Sequence, residues 1–235
     1  MVFYSMERDE RYPDVWYNKN VDHFISIICP KHKGHQSAIR NENVNLSVEV
    51  KKKKIGDFVT TVYSDWLITD KIVELFEKHN FTGYSLRPVD VCNMKLSFNL
   101  WELVITGRAD YHPDCGIKEL YRCDFCGTIR RRAFSDSTGL IINESSWDGN
   151  DFCIIESYPT KFIFTIEKVK NIIEEQRLTG VLFMPSTELR SISTLRYDED
   201  FTKEQWKEYF ERDITPLKEE LEKHAREMRE RAGWK

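Results

Sequence analysis

At 235 residues, with 40% hydrophobic and 13% aromatic side chains, the chain has enough apolar surface to fold around its own core, which excludes an intrinsically disordered class. A net charge of −4 and a pI near 5.9 argue against a dedicated nucleic-acid binder, which carries a basic footprint. No stretch approaches the roughly 18 apolar residues of a membrane span, the opening MVFYSMERDERYP lacks a signal peptide's apolar run, and six cysteines are too few for a secreted disulfide scaffold. The expected compartment is the cytoplasm, where paired cysteines serve as metal ligands rather than bridges.

In chain order, the first clear element is a strand over HFISIIC (23 to 29), followed directly by Cys29-Pro30-Lys31-His32, Gly34 and His35. The lysine run 51 to 54 reads as a solvated edge or loop. Residues 67 to 88, LITDKIVELFEKHNFTGYSLRP, read as a helix feeding a strand. Ile72, Val73, Leu75 and Phe76 fall at helical spacing, Thr69 is a candidate N-cap, Gly83 a left-handed stop, and Pro88 ends the strand. Residues 163 to 185, IFTIEKVKNIIEEQRLTGVLFMP, repeat the scheme with Thr165 as cap, Val169, Ile172 and Ile173 as apolar face, then Gly180 and Pro185.

Between these copies the texture is β: LWELVIT (100 to 106), IKELYR (117 to 122), TIRRRAF (128 to 134), GLIINE (139 to 144) and DFCIIES (151 to 157). Asp148-Gly149 reads as a type I′ hairpin turn. After about Tyr197 a charged helical region runs from 201 to 231, broken by Pro216, with Leu217, Leu221, Ala225 and Met228 on one face. The expected fold is α+β, a mostly antiparallel sheet with two similar helix-strand units, a zinc-knuckle clasp and a C-terminal helical tail. The expected organisation is one domain over 1–196 with a charged extension, 197–235, packed on it.

The clasp rests on CDFCG (123 to 127). Cys-x-x-Cys-Gly is the form of a knuckle, in which a tight turn aims two thiolates at one ion, but a closed structural zinc site takes four ligands. Cys29-x-x-His32 after the first strand supplies the other pair, so the expected metal ligands are Cys29, His32, Cys123 and Cys126, binding a structural Zn2+. His35 competes for the fourth place, and metal-free reduced thiols are the alternative. Cys92, Cys115 and Cys153 read as small buried hydrophobes. A redox role ranks lower, because β-like sequence flanks Cys123 and Cys126 where a redox pair opens a helix.

LITDKIVELFEKHNFTGYSLRPV (67 to 89), WELVITGRAD (101 to 110), CDFCG, WDGNDF (147 to 152) and FIFTIEKVKNIIEEQRLTGVLF (162 to 183) together resemble the double-CXXCG motif family of bacterial polymorphic-toxin immunity proteins, found in swarming bacteria. The likeness covers roughly 20 to 190. The chain departs from it at CPKHKG, where His32 stands in place of the second cysteine of the first motif and the glycine comes one residue late. The resemblance implies a stoichiometric inhibitor that binds a cognate toxin, with a basic nuclease as a candidate target, and no catalysis. No nucleophile elbow, Walker loop, dinucleotide fingerprint or HExxH is present, and YHPDCG, with His112, Asp114 and Cys115, reads as a loop. Candidate contact surfaces are 197 to 213, with Trp206, Tyr209 and Phe210, and the loop at Trp147. The alternative is a zinc-ribbon-like nucleic-acid binder using IRRR, in which Arg130 and Arg132 share a strand face.

Overall fold

A computed structural model describes residues 1–32, 35–52, 54–132, 134, 138–157, 162–190 and 202–211. The chain is mixed α+β and mostly sheet, and it divides into two compact units. One comprises Met1–His23, Asn41–Ile117 and Phe134–Ile192; the other comprises Phe24–Arg40, Lys118–Ala133 and Ser193–Lys235. The expected boundary at 196/197 and the apolar face from Leu217 to Met228 lie outside the described residues.

The elements begin with β1 (Phe3–Arg8), β2 (Trp16–Tyr17), β3 (Phe24–Ile28), β4 (Gln36–Arg40), β5 (Leu46–Glu49), β6 (Phe58–Thr60) and β7 (Trp66–Thr69). Helix α1 (Asp70–Lys78) leads into β8 (Tyr84–Val91), β9 (Leu100–Ile105), β10 (Arg108–Tyr111), β11 (Lys118–Arg122), β12 (Ile129–Arg132), β13 (Ile142–Asn143), β14 (Phe152–Ile155) and β15 (Phe164–Ile166). Helix α2 (Glu167–Glu175), β16 (Val181–Pro185) and α3 (Lys203–Glu211) complete the described chain.

The larger unit holds two six-stranded sheets, β13-β10-β14-β15-β1-β16 and β2-β5-β8-β9-β7-β6. Each curls back on itself. Val15, beside β2, pairs in parallel with Thr61, beside β6, and Leu140 donates its backbone N–H to Ser186 O at 2.9 Å, tying the ends of the other sheet. Closure of this kind leaves few free edges. One ring encloses Val15, Leu46, Val48, Val59, Leu67 and Leu100; the other encloses Ala109, Leu140, Ile142, Cys153, Phe164 and Phe3. A third core packs Ile72 and Phe76 of α1 and Val169 and Ile173 of α2 with Phe58 and Phe152.

The two helix-strand units are part of a much longer repeat. β2 pairs with β5 as Trp16↔Glu49 and Tyr17↔Val48; 94 residues on, β10 pairs with β13 as Asp110↔Asn143 and Tyr111↔Ile142. The β3–β4 and β11–β12 hairpins stand at the same places in their repeats. The opening strands are exchanged: β1 lies between β15 and β16 of the second repeat, and β9 between β7 and β8 of the first. Their registers correspond, Tyr4↔Pro185 with Trp101↔Pro88 and Met6↔Phe183 with Leu103↔Leu86. Neither repeat completes a sheet alone.

Three local expectations are corrected. Thr69 is the N-cap residue of α1, but its hydroxyl is buried without a hydrogen-bond partner, and α2 is capped at Ile166 rather than Thr165. Thr165 lies within β15 and donates its hydroxyl to Asp151 O at 2.9 Å, so the two copies align one residue later than the threonines suggest. The left-handed residues just beyond the helices are Asn80 (φ 49°) and Arg177 (φ 51°), not Gly83 and Gly180. Those glycines also have positive φ, but their task is close approach: a Cβ on Gly83 would lie 2.2 Å from Phe152 O, and one on Gly180 would lie 1.9 Å from Phe58 O. Asp148-Gly149 makes no hairpin, because β13 and β14 both pair with β10 instead of each other, and Asp148 lacks the positive φ of a type I′ turn.

Candidate metal centre

In the smaller unit each hairpin ends in a cysteine-bearing turn. Cys123 N–H donates to Thr128 O and Gly127 N–H returns to Cys123 O, both at 2.9 Å, with Gly127 at φ 69°. This tight turn aims the Cys123 and Cys126 thiols the same way. In the β3–β4 hairpin the equivalent closing bond runs from Cys29 N–H to His35 O at 3.0 Å. The segment from Cys29 to His35 is one residue longer than that from Cys123 to Thr128.

His35, rather than His32, stands with the three cysteines. The ligand atoms of Cys29, His35, Cys123 and Cys126 all lie within 4.8 Å of one another, with all but Cys126 fully buried. Cys29 Sγ is 4.0 Å from Cys123 Sγ, and Cys126 Sγ is 3.9 Å from His35 Nδ1. Sulfur ligands about 2.3 Å from a tetrahedral ion sit about 3.8 Å apart, so four inward atoms at this spacing fit one ion. Three of the expected ligands therefore come together, and His35 takes the place expected of His32. His32 donates its backbone N–H to Cys29 Sγ at 3.3 Å, while its ring turns to Glu211, with Nε2 3.5 Å from Oε1.

The electrostatics favour thiolates on one hairpin. Burial opposes ionisation of Cys123, but the backbone N–H groups of Cys126 and Phe125, with the Tyr121 hydroxyl and His35, outweigh it and bring the thiol down to about 6. The Thr128 hydroxyl, 3.1 Å from Cys126 Sγ, lowers that thiol as well. Cys29 goes the other way, raised chiefly by burial. A cation held among the three sulfurs would stabilise their thiolate forms together, Cys29 included, as a coordinating metal does.

Around the ligands, α3 forms the near wall. Phe210 packs against the cluster of Cys29, Tyr121 and Cys123, its ring centroid 5.4 Å from that of Tyr121 and 5.9 Å from the Arg130 guanidinium carbon. Trp206 is only 5% exposed and stacks on Phe210 at 5.5 Å. These aromatics, read from sequence as candidate partner anchors, pack within this unit. Trp147 is likewise engaged, edge-on to Phe3 at 5.4 Å with its Nε1–H on Asn150 O. His112, Pro113, Asp114 and Cys115 form a short 3₁₀ turn with Cys115 buried. Cys153 is buried too, but Cys92 is exposed. The signal that could have exposed the repeat was the 94-residue interval, shared by Cys29 and Cys123 and by the Asp-Phe pairs at 57–58 and 151–152.

Comparisons with protein-family models and with curated proteins find no match to this chain. Among the described residues, no helix is long and apolar enough to cross a membrane.

Proposed function

We propose that this protein binds and neutralises a cognate bacterial toxin, as the likeness to immunity proteins implies, and that a structural zinc ion held by Cys29, His35, Cys123 and Cys126 fixes the hairpins that carry the contact face. Three thiolates and one imidazole in a closed tetrahedral set favour zinc over the oxygen-seeking calcium and magnesium.

The observation that carries the binding reading is an apolar face left open on the β3–β4 hairpin. Ile25 and Ile27 fall on one side of β3, and Ile39 lies directly opposite Ile25. They are 47%, 39% and 50% exposed. Adjacent aliphatic side chains held open on a ribbon are the kind of patch that a partner desolvates. They offer no stacking platform for bases, so the occupant is a folded protein. The segments Phe24–Arg40 and Lys118–Ala133 carry eight basic and two acidic residues, which complements an acidic rim on that partner rather than the basic cleft expected from the net charge of the chain.

The test is co-expression with the toxin encoded beside this gene. The wild type should protect the host and co-elute with the toxin, while Ile25→Asp with Ile39→Asp should lose both and keep its zinc. Killing in the presence of wild type, with no complex on gel filtration, would overturn the reading.

A second reading draws on the same basic hairpins, as a nucleic-acid surface. It ranks behind, because the exposed side chains of the β3–β4 face are aliphatic rather than aromatic, and two of the eight cations are engaged, Arg122 with Glu119 at 2.7 Å and Arg130 over Phe210. Tight, salt-sensitive binding to random duplex DNA would promote it.

A further inference from the structure

We infer that the metal centre is a latch for α3: an ion bound at one nitrogen of His35 holds the ring so that its outer nitrogen meets the Phe210 carbonyl, and loss of the ion releases the helix. This rests on the metal reading above and adds to it a role for the C-terminal segment.

His35 Nε2 lies 2.8 Å from Phe210 O. A carbonyl oxygen only accepts, so Nε2 is the donor here, and in the neutral ring Nδ1, 3.9 Å from Cys126 Sγ, then presents its lone pair inward. An ion at Nδ1 excludes the other neutral tautomer, in which a nitrogen lone pair would face the carbonyl oxygen. Metal-bound histidines commonly donate their second N–H to a carbonyl or carboxylate, and removing such a partner costs about 10–100-fold in metal affinity. Here the partner carbonyl belongs to α3.

The rest of the grip falls on the same two hairpins. Tyr121 donates its hydroxyl to Glu211 Oε1 at 2.9 Å, and His32 Nε2 approaches the same oxygen from the other hairpin. Lys207 reaches Asp124, inside the Cys-x-x-Cys turn, at 3.6 Å; both groups are exposed, so this pair adds little. α3 therefore meets a surface that exists only while the two turns are held together. By linkage, whatever the ion contributes to helix docking the docked helix returns to ion affinity, by the same factor.

The test uses the full-length protein, zinc-loaded and chelator-stripped, with amide hydrogen exchange read across α3 and, as an internal reference, across α1. Stripping should accelerate exchange in Lys203–Glu211 at least about tenfold and leave Asp70–Lys78 unchanged. His35→Cys separates the latch from general unfolding: a fourth thiolate keeps one zinc per chain but has no N–H for Phe210, so α3 should exchange as in stripped protein while zinc stays bound. In the reverse direction, Trp206→Ala with Phe210→Ala should weaken zinc about 10–100-fold in competition with a chelator. Zinc uptake with the same α3 protection in loaded, stripped and His35→Cys protein overturns the latch alone. No zinc uptake overturns the metal reading and the latch with it.

Discussion

Asp57 and Thr179 hold each other by three hydrogen bonds. The Asp57 carboxylate accepts from the Thr179 backbone N–H at 2.9 Å and hydroxyl at 2.8 Å, and Asp57 N–H donates back to the same hydroxyl at 2.9 Å. The other repeat has the counterpart. Asp151 accepts from Thr82 N–H at 2.9 Å and hydroxyl at 3.1 Å and donates its own N–H to that hydroxyl. Each aspartate also meets a lysine at the second position of the helix in its own repeat, Lys71 or Lys168. Because Asp57 grips the second repeat and Asp151 the first, the pair fastens the repeats to each other.

Asp57→Ala strands the Thr179 N–H and leaves Lys71 without its carboxylate. Hydrogen bonds to a charged group are worth about 1.5–3 kcal/mol each in mutational terms, but they are not additive here. The expected loss is about 2–4 kcal/mol in urea unfolding, and Asp151→Ala should cost a similar amount. A loss under about 0.5 kcal/mol at both sites would show that the repeats are held by packing alone.

Gly180 admits no side chain. At φ 90° an L-residue is strained, and the new Cβ would strike Phe58 O, a backbone atom that cannot swing aside. Gly180→Ala should therefore cost about 3–5 kcal/mol, and Gly83→Ala should behave alike. Gly127→Ala, with open space around its Cβ position, pays only the positive φ and should cost about 1–2 kcal/mol.

Asp70 gives a pH dependence with a definite sign. The Trp101 Nε1–H at 2.8 Å, then the Asn99 backbone N–H at 2.8 Å, hold its carboxyl below the ordinary value of 3.8. A depressed carboxyl stabilises the fold above its unfolded value and loses that contribution as pH falls through the folded one. Wild type should thus exceed Asp70→Asn in stability at pH 6, and the gap should narrow toward pH 3. A gap that is constant over this range would assign the effect to packing.

The fourth ligand is decided by two single variants. His35→Ala should weaken zinc by more than about 100-fold, since a direct ligand costs more than a supporting partner. His32→Ala should leave one zinc per chain. Elemental analysis after chelator dialysis reads both, and the opposite pattern would restore His32 to the site.

Strand exchange predicts how the chain can be cut. Residues 1–94 lack β9, and residues 95–235 lack β1, so each fragment leaves a six-stranded sheet without one of its interior strands. Neither should fold alone, and mixing should recover a 1:1 complex with native circular dichroism. A folded isolated half would show that the exchanged strand is dispensable.

Sequence by itself determined the elements whose signal is periodic or chemical. The apolar spacing of Ile72 and Phe76, and of Val169 and Ile173, places both helices, and Cys29, Cys123 and Cys126 announce ligand chemistry. Only the tertiary structure decided what depends on distance across the chain. The repeat was legible over the helix-strand units alone, because matching ring-core positions hold different residues, Val59 against Cys153 and Leu67 against Phe164: apolar packing preserves burial without preserving identity. The chain offers His32 and His35 alike, and only the fold places the His35 imidazole among the thiols and turns the His32 ring toward Glu211. Ligand type is written in the chain, but ligand direction is set by the backbone that carries it.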